Sequence, residues 1–403
     1  MTVEDVLKEV LREWSEESKI PPDLAGRAMR RRSRRRRGTV MAFAGAVAAA
    51  VAAVIVVPGA LAGGGSPSDP VTVIAGPPSS SASPGQARDL AVSADPDVEP
   101  PEGRLIAAQN VAVFAYDVTT TQKIGGDRTE VRSTWYLYDD AAGRYRKTPW
   151  TYLDVAPGGG QVAVLEKFGA RRVGITGRSG GNVRWLDLDQ RPSSVKWSPD
   201  GKRLLLTVYD ADPDADDSGN GSTARRTGFL LLDPETDESR FIQASADTSG
   251  HGRGADLQWT ADGALLWDTT GFEGERAYLD LQGRSAAKPA HTTNQPAGRS
   301  PDGRRLAVNA SEDRAWTGVQ DITTGKLTPI RATKDHLVIE LSAWADNDHL
   351  VAWACEIDDP TGCEEPTRSR LVLLSTDGTT FQPLTDYREP EPTETWTPHF
   401  TPR

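Results

Sequence analysis

Val195-Lys196-Trp197-Ser198-Pro199-Asp200-Gly201-Lys202-Arg203-Leu204-Leu205-Leu206 decides the fold. An apolar run ends in tryptophan, a Ser-Pro-Asp-Gly segment follows, and a second apolar run leads away. Proline presets the first turn dihedral, aspartate bonds its own backbone, and glycine accepts positive φ. The apolar runs on either side read as strands. The stretch is a β-hairpin.

The hairpin recurs, and recurrence at a fixed period marks a repeat architecture. Leu257-Gln258-Trp259-Thr260-Ala261-Asp262-Gly263-Ala264-Leu265-Leu266-Trp267 and Arg299-Ser300-Pro301-Asp302-Gly303-Arg304-Arg305-Leu306-Ala307-Val308 repeat it closely. Weaker copies begin at Asp154 and Trp344, and Trp396-Thr397-Pro398 reads as a truncated sixth. Between these anchors lies a second signal, an apolar strand ending in a polar turn. It occurs at Trp135–Asp139, Trp185–Asp187, Phe229–Asp233, Ala277–Asp280, Gly318–Asp321 and Leu371–Ser375. Six such signals alternating with six anchors predict one four-stranded blade per period of about 40–45 residues.

The Trp-Ser-Pro-Asp-Gly turn and its following strand resemble the repeat of TolB-type β-propellers, relatives of the WD-repeat propellers. The resemblance spans residues 104–403 and implies an all-β ring of six blades. A seventh stays open, because Leu105 to Tyr145 is poorly patterned. In a six-bladed ring the Trp396 segment is expected to pair with the strand near Leu105-Ile106-Ala107, which leaves no open edge.

Outward from the repeat, the N-terminal quarter divides into three. Residues 40–62 carry no charge over 23 positions, long enough for a transmembrane helix. Seven arginines within Arg30 to Arg37 precede the run and predict a cytoplasmic N-terminus with the bulk of the chain outside. The competing reading is a signal peptide cleaved after Ala62, against which the length of the run argues. Residues 63–103 are about half proline, glycine and serine and read as a disordered linker. Residues 1–39 hold the arginine cluster and an amphipathic helix. In that helix Val3, Val6, Leu7, Val10, Leu11 and Trp14 fall on one face. A lone helix of about 15 residues is marginal in water, so the stripe predicts a cytosolic protein partner.

The formal net charge of -11 argues against a nucleic-acid binder. It partitions as +4 on residues 1–39, zero on the span, -5 on the linker and -10 on the propeller. Cys355 and Cys363, outside the membrane, are expected to form a disulfide. Two cysteines exclude a four-thiolate zinc site, and His251, His291, His336, His349 and His399 show no ligand spacing. Asp210-Ala211-Asp212-Pro213-Asp214 imitates a calcium loop, but Ala215 and Gly221 stand where glycine and glutamate are required. Gly177-Arg178-Ser179-Gly180-Gly181 matches the hydrolase nucleophile elbow, yet short strands flank it on both sides, which predicts a hairpin turn. The eleven tryptophans fall mostly at blade positions and read as core.

No catalytic constellation, metal or cofactor is therefore expected. The expected function is a membrane-anchored, extracytoplasmic propeller that binds or senses a protein or ligand without catalysis. The alternative is a transmembrane signalling regulator, resembling bacterial anti-sigma factors in layout only. The candidate positions are the partner face of the N-terminal helix, the cysteine pair, and the repeat turns at Pro199, Asp200, Gly201, Asp262, Gly263, Pro301, Asp302 and Gly303.

Overall fold

The computed structural model describes residues 92–403 apart from 95, 98–101, 126–127, 214–223, 245–255, 271–274, 310–316, 331–335, 358–367 and 389–393. The expected N-terminal helix with its apolar stripe, the expected span and most of the linker lie outside the described residues. Among the described residues every regular element is a strand, and no helix is long and apolar enough to cross a membrane.

The strands form six antiparallel sheets in chain order. The first holds β1 (Val92–Ser93), β2 (Ala107–Ala108), β3 (Val111–Gly125), β4 (Arg128–Asp139) and β5 (Arg144–Lys147). The second is β6 (Tyr152–Val155), β7 (Gln161–Leu165), β8 (Arg172–Gly177) and β9 (Arg184–Asp187). The third is β10 (Pro192–Trp197), β11 (Leu204–Tyr209), β12 (Arg226–Leu232) and β13 (Ser239–Gln243). The fourth is β14 (Gln258–Trp259), β15 (Leu266–Thr270), β16 (Glu275–Leu279) and β17 (Ser285–Ala286). The fifth keeps β18 (Arg305–Asn309), β19 (Thr317–Asp321) and β20 (Leu327–Ile330), its innermost strand reduced to the bridge Arg299↔Leu306. The sixth is β21 (His336–Trp344), β22 (His349–Glu356), β23 (Ser369–Ser375) and β24 (Phe381–Pro383). The last strand, β25 (Glu394–Pro402), returns to the first sheet and pairs with β3. The result is a six-bladed β-propeller, and the described residues form no seventh blade.

Two details of the expected chain path change. First, β25 pairs with Val111 to Thr120 and not with the strand at Leu105-Ile106-Ala107. Trp396 is therefore not an anchor turn: it sits opposite Val118, and the strand runs six residues past it. Secondly, Val92–Ser93, read as linker, adds to β2, and Glu102 pairs with Arg144 at 2.7 Å. Along the second blade, Trp185-Leu186-Asp187 lies in the outermost strand, because Arg172–Gly177 already fills the third position.

Burial on both faces explains why the second strand of a blade reads as an unbroken apolar run. Leu204, Leu206 and Val208 of β11 pack with Ala163, Leu165 and Trp197 toward the second blade. Leu205, one residue out of phase, packs with Leu257 and Leu266 toward the fourth. β7 does the same, Val162 and Val164 facing the first blade and Ala163 and Leu165 the third. A period of two with apolar residues in both phases is what a sheet covered on both sides requires.

The repeat turns behave as one chemical unit. In each, the serine or threonine hydroxyl donates to the aspartate carboxylate, at 2.5 Å for Ser198–Asp200, 2.7 Å for Thr260–Asp262 and 2.6 Å for Ser300–Asp302. The same hydroxyl accepts from the amide five residues on, while Gly201, Gly263 and Gly303 take positive φ. Ser375-Thr376-Asp377-Gly378 repeats the unit between β23 and β24, with 2.5 Å from Ser375 Oγ to Asp377. The weaker Trp344 copy turns without positive φ, Asp346 capping the amides of Asp348 and His349 instead. Gly159 is the strictest position: its φ is +70, and a Cβ there would overlap the Phe114 ring.

Three outcomes are expected. Gly143→Ala, at φ +66 in open space, should cost about 1 kcal/mol in urea unfolding. Gly159→Ala should cost roughly 1–3 kcal/mol more from overpacking. The Asp377 carboxyl is held down at about 2, first by the Ser375 hydroxyl and then by the Thr379 amide. Its unfolded value is about 3.9, so its contribution is complete above that pH and is lost as pH falls toward about 2. Ser375→Ala should flatten the fall of melting temperature across that window.

Candidate functional site

Antiparallel order sorts the connections onto two rims. Turns from first to second and from third to fourth strands share one rim, which carries every Ser/Thr-x-Asp-Gly turn described above. Connections from second to third strands, and from one blade to the next, share the other. The candidate site runs along the first strands, from Asp256 toward the second rim to Asp154 and Lys196, each two residues before a turn of the first rim.

Four blades contribute to it. β25 supplies His399, whose Nε2 lies 2.8 Å from Asp117 Oδ1 on β3. The imidazole stacks on Trp135 with centroids 4.6 Å apart. Thr119 donates to the other oxygen of Asp117 at 2.7 Å and contacts Ser133 at 2.8 Å, which continues the chain of bonds outward. β6 supplies Tyr152, tilted against Trp135 at 5.0 Å, and Asp154. β10 supplies Lys196, whose Nζ is 3.5 Å from Asp154 Oδ1. The Trp197 amide donates to Asp154 Oδ2 at 2.7 Å, so one carboxylate holds the neighbouring blade twice. Just before β14, Asp256 accepts from the Tyr209 hydroxyl at 3.2 Å. Beyond it, Arg226 and Asp268 form a nearly buried pair at 2.6 Å.

Electrostatics ties these groups together. Burial works against the Lys196 ammonium, but neighbours outweigh it and its pKa is raised. Tyr152 is pushed up chiefly by burial, so at neutral pH it is an uncharged phenol. Asp154 and Asp256 are then the charges that keep Lys196 protonated. Tyr209 is likewise raised by burial and by Asp256. Around neutrality the cluster pairs fixed carboxylates with fixed cations over an aromatic lining, which suits recognition of a polar group.

The positions singled out from sequence fall elsewhere. The repeat turns Pro199-Asp200-Gly201, Asp262-Gly263 and Pro301-Asp302-Gly303 occupy the opposite rim and stabilise hairpins. Ser179 lies in the β8–β9 connection, not before a helix, and its hydroxyl reaches Asp140 Oδ2 at 3.4 Å. Its neighbour Arg178 is the anchored residue: it donates to the Gly159 carbonyl at 2.7 Å, pairs with Asp140 at 2.7 Å and covers the Phe114 ring. Cys355 is buried near the end of β22, and Cys363 lies outside the described residues. Among the described residues no group of three His, Cys, Asp or Glu side chains is placed to hold a metal ion. Sequence reasoning missed the axial cluster. The available signal was a charge inside an apolar strand: Tyr116-Asp117-Val118, Leu153-Asp154-Val155 and Val195-Lys196-Trp197.

No protein-family model matches the chain, and no curated protein matches it. Among solved structures it is similar to TolB from Acinetobacter baumannii, with TM-score 0.37 and 17% identity over 71% of this chain and 67% of that one. It is also similar to Kuenenia stuttgartiensis hydrazine synthase, with TM-score 0.31 and 13% identity over 60% of this chain and 68% of that one. At those values the six blades rest on the strand pairing of this chain, not on either neighbour. The class that the pairing defines is a six-bladed β-propeller.

Asp154→Asn should leave the Trp197 amide bonded through the remaining carbonyl oxygen while leaving Lys196 short of charge. The expected loss is about 2 kcal/mol in denaturant unfolding, below the cost of opening a fully buried pair. Asp154→Asn with Lys196→Met should recover part of it, which a double-mutant cycle reads directly.

Proposed function

We propose that the protein is a non-catalytic binding module, a propeller held outside the cytoplasm by the residue 40–62 span, whose loop rim recognises a protein partner or ligand. The observation that carries this reading is the convergence of His399, Asp117, Tyr152, Asp154, Lys196 and Asp256 from successive blades along the inner strands. Rigid strands with variable connections are the usual basis of recognition surfaces. The paired cluster, with every cation matched to a carboxylate, is built to hold a shape more than to turn over a substrate. Support for the anchor comes from the 23 uncharged positions and the preceding arginines. The staple expected between Cys355 and Cys363 fits an oxidising compartment.

A second reading adds signalling across the membrane through the Val3, Val6, Leu7, Val10, Leu11 and Trp14 face. The apolar stripe favours it, since a cytosolic helix of that kind calls for a partner.

Crosslinking in intact membranes followed by affinity capture of the full chain is expected to recover an extracytoplasmic partner. Capture that is unchanged when Tyr152 and Asp256 are replaced by alanine would remove the axial cluster from the account. The mature N-terminus is expected at Met1 or Thr2; a chain starting at Gly63 would replace the anchor with a cleaved signal. Deleting residues 2–20 is expected to release a cytosolic partner, and an unchanged set of cytosolic proteins would end the signalling reading.

A further inference from the structure

On the loop rim a cleft of about 400 Å3 opens between the second and third blades, with Tyr209 between it and the axial cluster. Its form follows from a local irregularity. The β11–β12 register shifts between Val208, opposite Gly228, and Tyr209, opposite Arg226, so Thr227 is an extra residue. Such a bulge bends the strand and re-aims side chains, and bulges are over-represented beside sites. Thr227 Oγ1 donates to the Val208 carbonyl at 3.3 Å, which fixes the bulge. Gly228 follows it, where a Cβ would meet the Phe241 ring at 2.8 Å. With no side chain there, the Phe241 ring lies against the backbone and forms an apolar floor with Val208.

Two arginines line the same cleft. Arg171 is positioned by one bond, Nη1 to the Asp189 carbonyl at 2.6 Å. A carbonyl does not neutralise it, and its other donors stay available. Arg191 makes no hydrogen bond or ion pair with any described residue and lines the same cleft. Gln190 and Gln243 add amide groups. Asp210 is the one carboxylate among the lining residues, and it accepts from the Arg225 amide at 2.7 Å. The volume lies within the range of small-molecule sites, about 300–1,000 Å3.

We infer that this cleft binds a carboxylate carried on a short apolar body. The Arg171 and Arg191 forks take the two oxygens, as guanidinium geometry favours, and Phe241 and Val208 take the apolar part. The carboxylate belongs either to a free organic acid or to an acidic side chain beside an apolar residue in a peptide. The cleft shares Tyr209 with the axial cluster, but Arg171 and Arg191 belong to the cleft alone, so the arginine substitutions let this inference and the axial-site reading fail separately.

Calorimetric titration of the full chain tests it with 4-phenylbutyrate, its uncharged isostere 4-phenylbutanamide, and acetyl-phenylalanyl-glutamate amide. The acid is expected to bind at least roughly tenfold tighter than the isostere. Arg191→Gln and Arg171→Gln should each weaken it by roughly tenfold. Arg191 is exposed, so Arg191→Gln should not shift the melting temperature. Tighter binding of the peptide than of 4-phenylbutyrate supports the inference with a peptide as source, and the reverse order supports it with a free acid. Equal binding of acid and isostere, indifference to both arginine substitutions, or no binding of either acid at roughly 10 mM overturns it.

Discussion

Everything in this molecule depends on one pairing between the two ends of the described chain. β25 lies along β3 from Glu394↔Thr120 to Pro402↔Val111, joining residues some 280 positions apart, as in the His399–Asp117 contact. Without it the first blade would lack its inner strand and the ring would present open edges, which sheets do not leave unprotected. The seam is reinforced at its foot. The Arg403 amide donates to Asn110, the Pro402 carbonyl accepts from Gly158, and the Tyr145 hydroxyl bridges the Ile106 amide and the Val113 carbonyl. Higher up, Trp396 packs between Tyr116 and Trp353, so the closing strand is held from the sixth blade as well as the first.

Closure has an electrostatic consequence. Once the first strands of successive blades stand side by side, side chains that point along the ring cannot all be apolar, because they reach a polar interior near the axis. Asp154, Lys196 and Asp256 meet there from segments far apart in sequence. All three are only partly buried, and the two carboxylates favour the Lys196 ammonium. The same pairing that satisfies these groups also sets the angle between neighbouring blades, since Asp154 accepts from the Trp197 amide of the following inner strand. Lining and scaffold are therefore one construction.

Much of this was legible from sequence, and the boundary has physical causes. The hairpins were legible because a Ser-Pro-Asp-Gly turn is specified by residues in contact along the chain. The blade count followed from periodicity, and the hairpin at Gly177–Gly181 from the strands around it. That the Trp396 segment returns to the first blade was legible, but its partner strand and register were not. Its Trp396-Thr397-Pro398 imitates an anchor, and a strand without its own turn carries no local signal of register. The axial cluster was hidden for a similar reason: Asp154 and Lys196 look like the outward phase of ordinary strands until the ring brings them together. The cleft between the second and third blades left one trace, a glycine inside a strand at Gly228, which often marks a bulge or a close approach.

The two rims differ in how much structure their turns prescribe. On one, a hydroxyl, a carboxylate and a positive-φ glycine fix four of the hairpins within a few residues, and any side chain that varied there would have to spare that network. On the other, the connections are set only at their ends by strand pairing. Arg171, Arg191, Asp210 and the bulge at Thr227 all belong to this second rim, as do Tyr209 and Asp256 at the mouth of the axial cluster. Backbone geometry leaves residue identity free on the second rim, while the stability of the ring is carried by the opposite rim and by the seam. Substitutions on the second rim can therefore change its surface without altering how the ring closes.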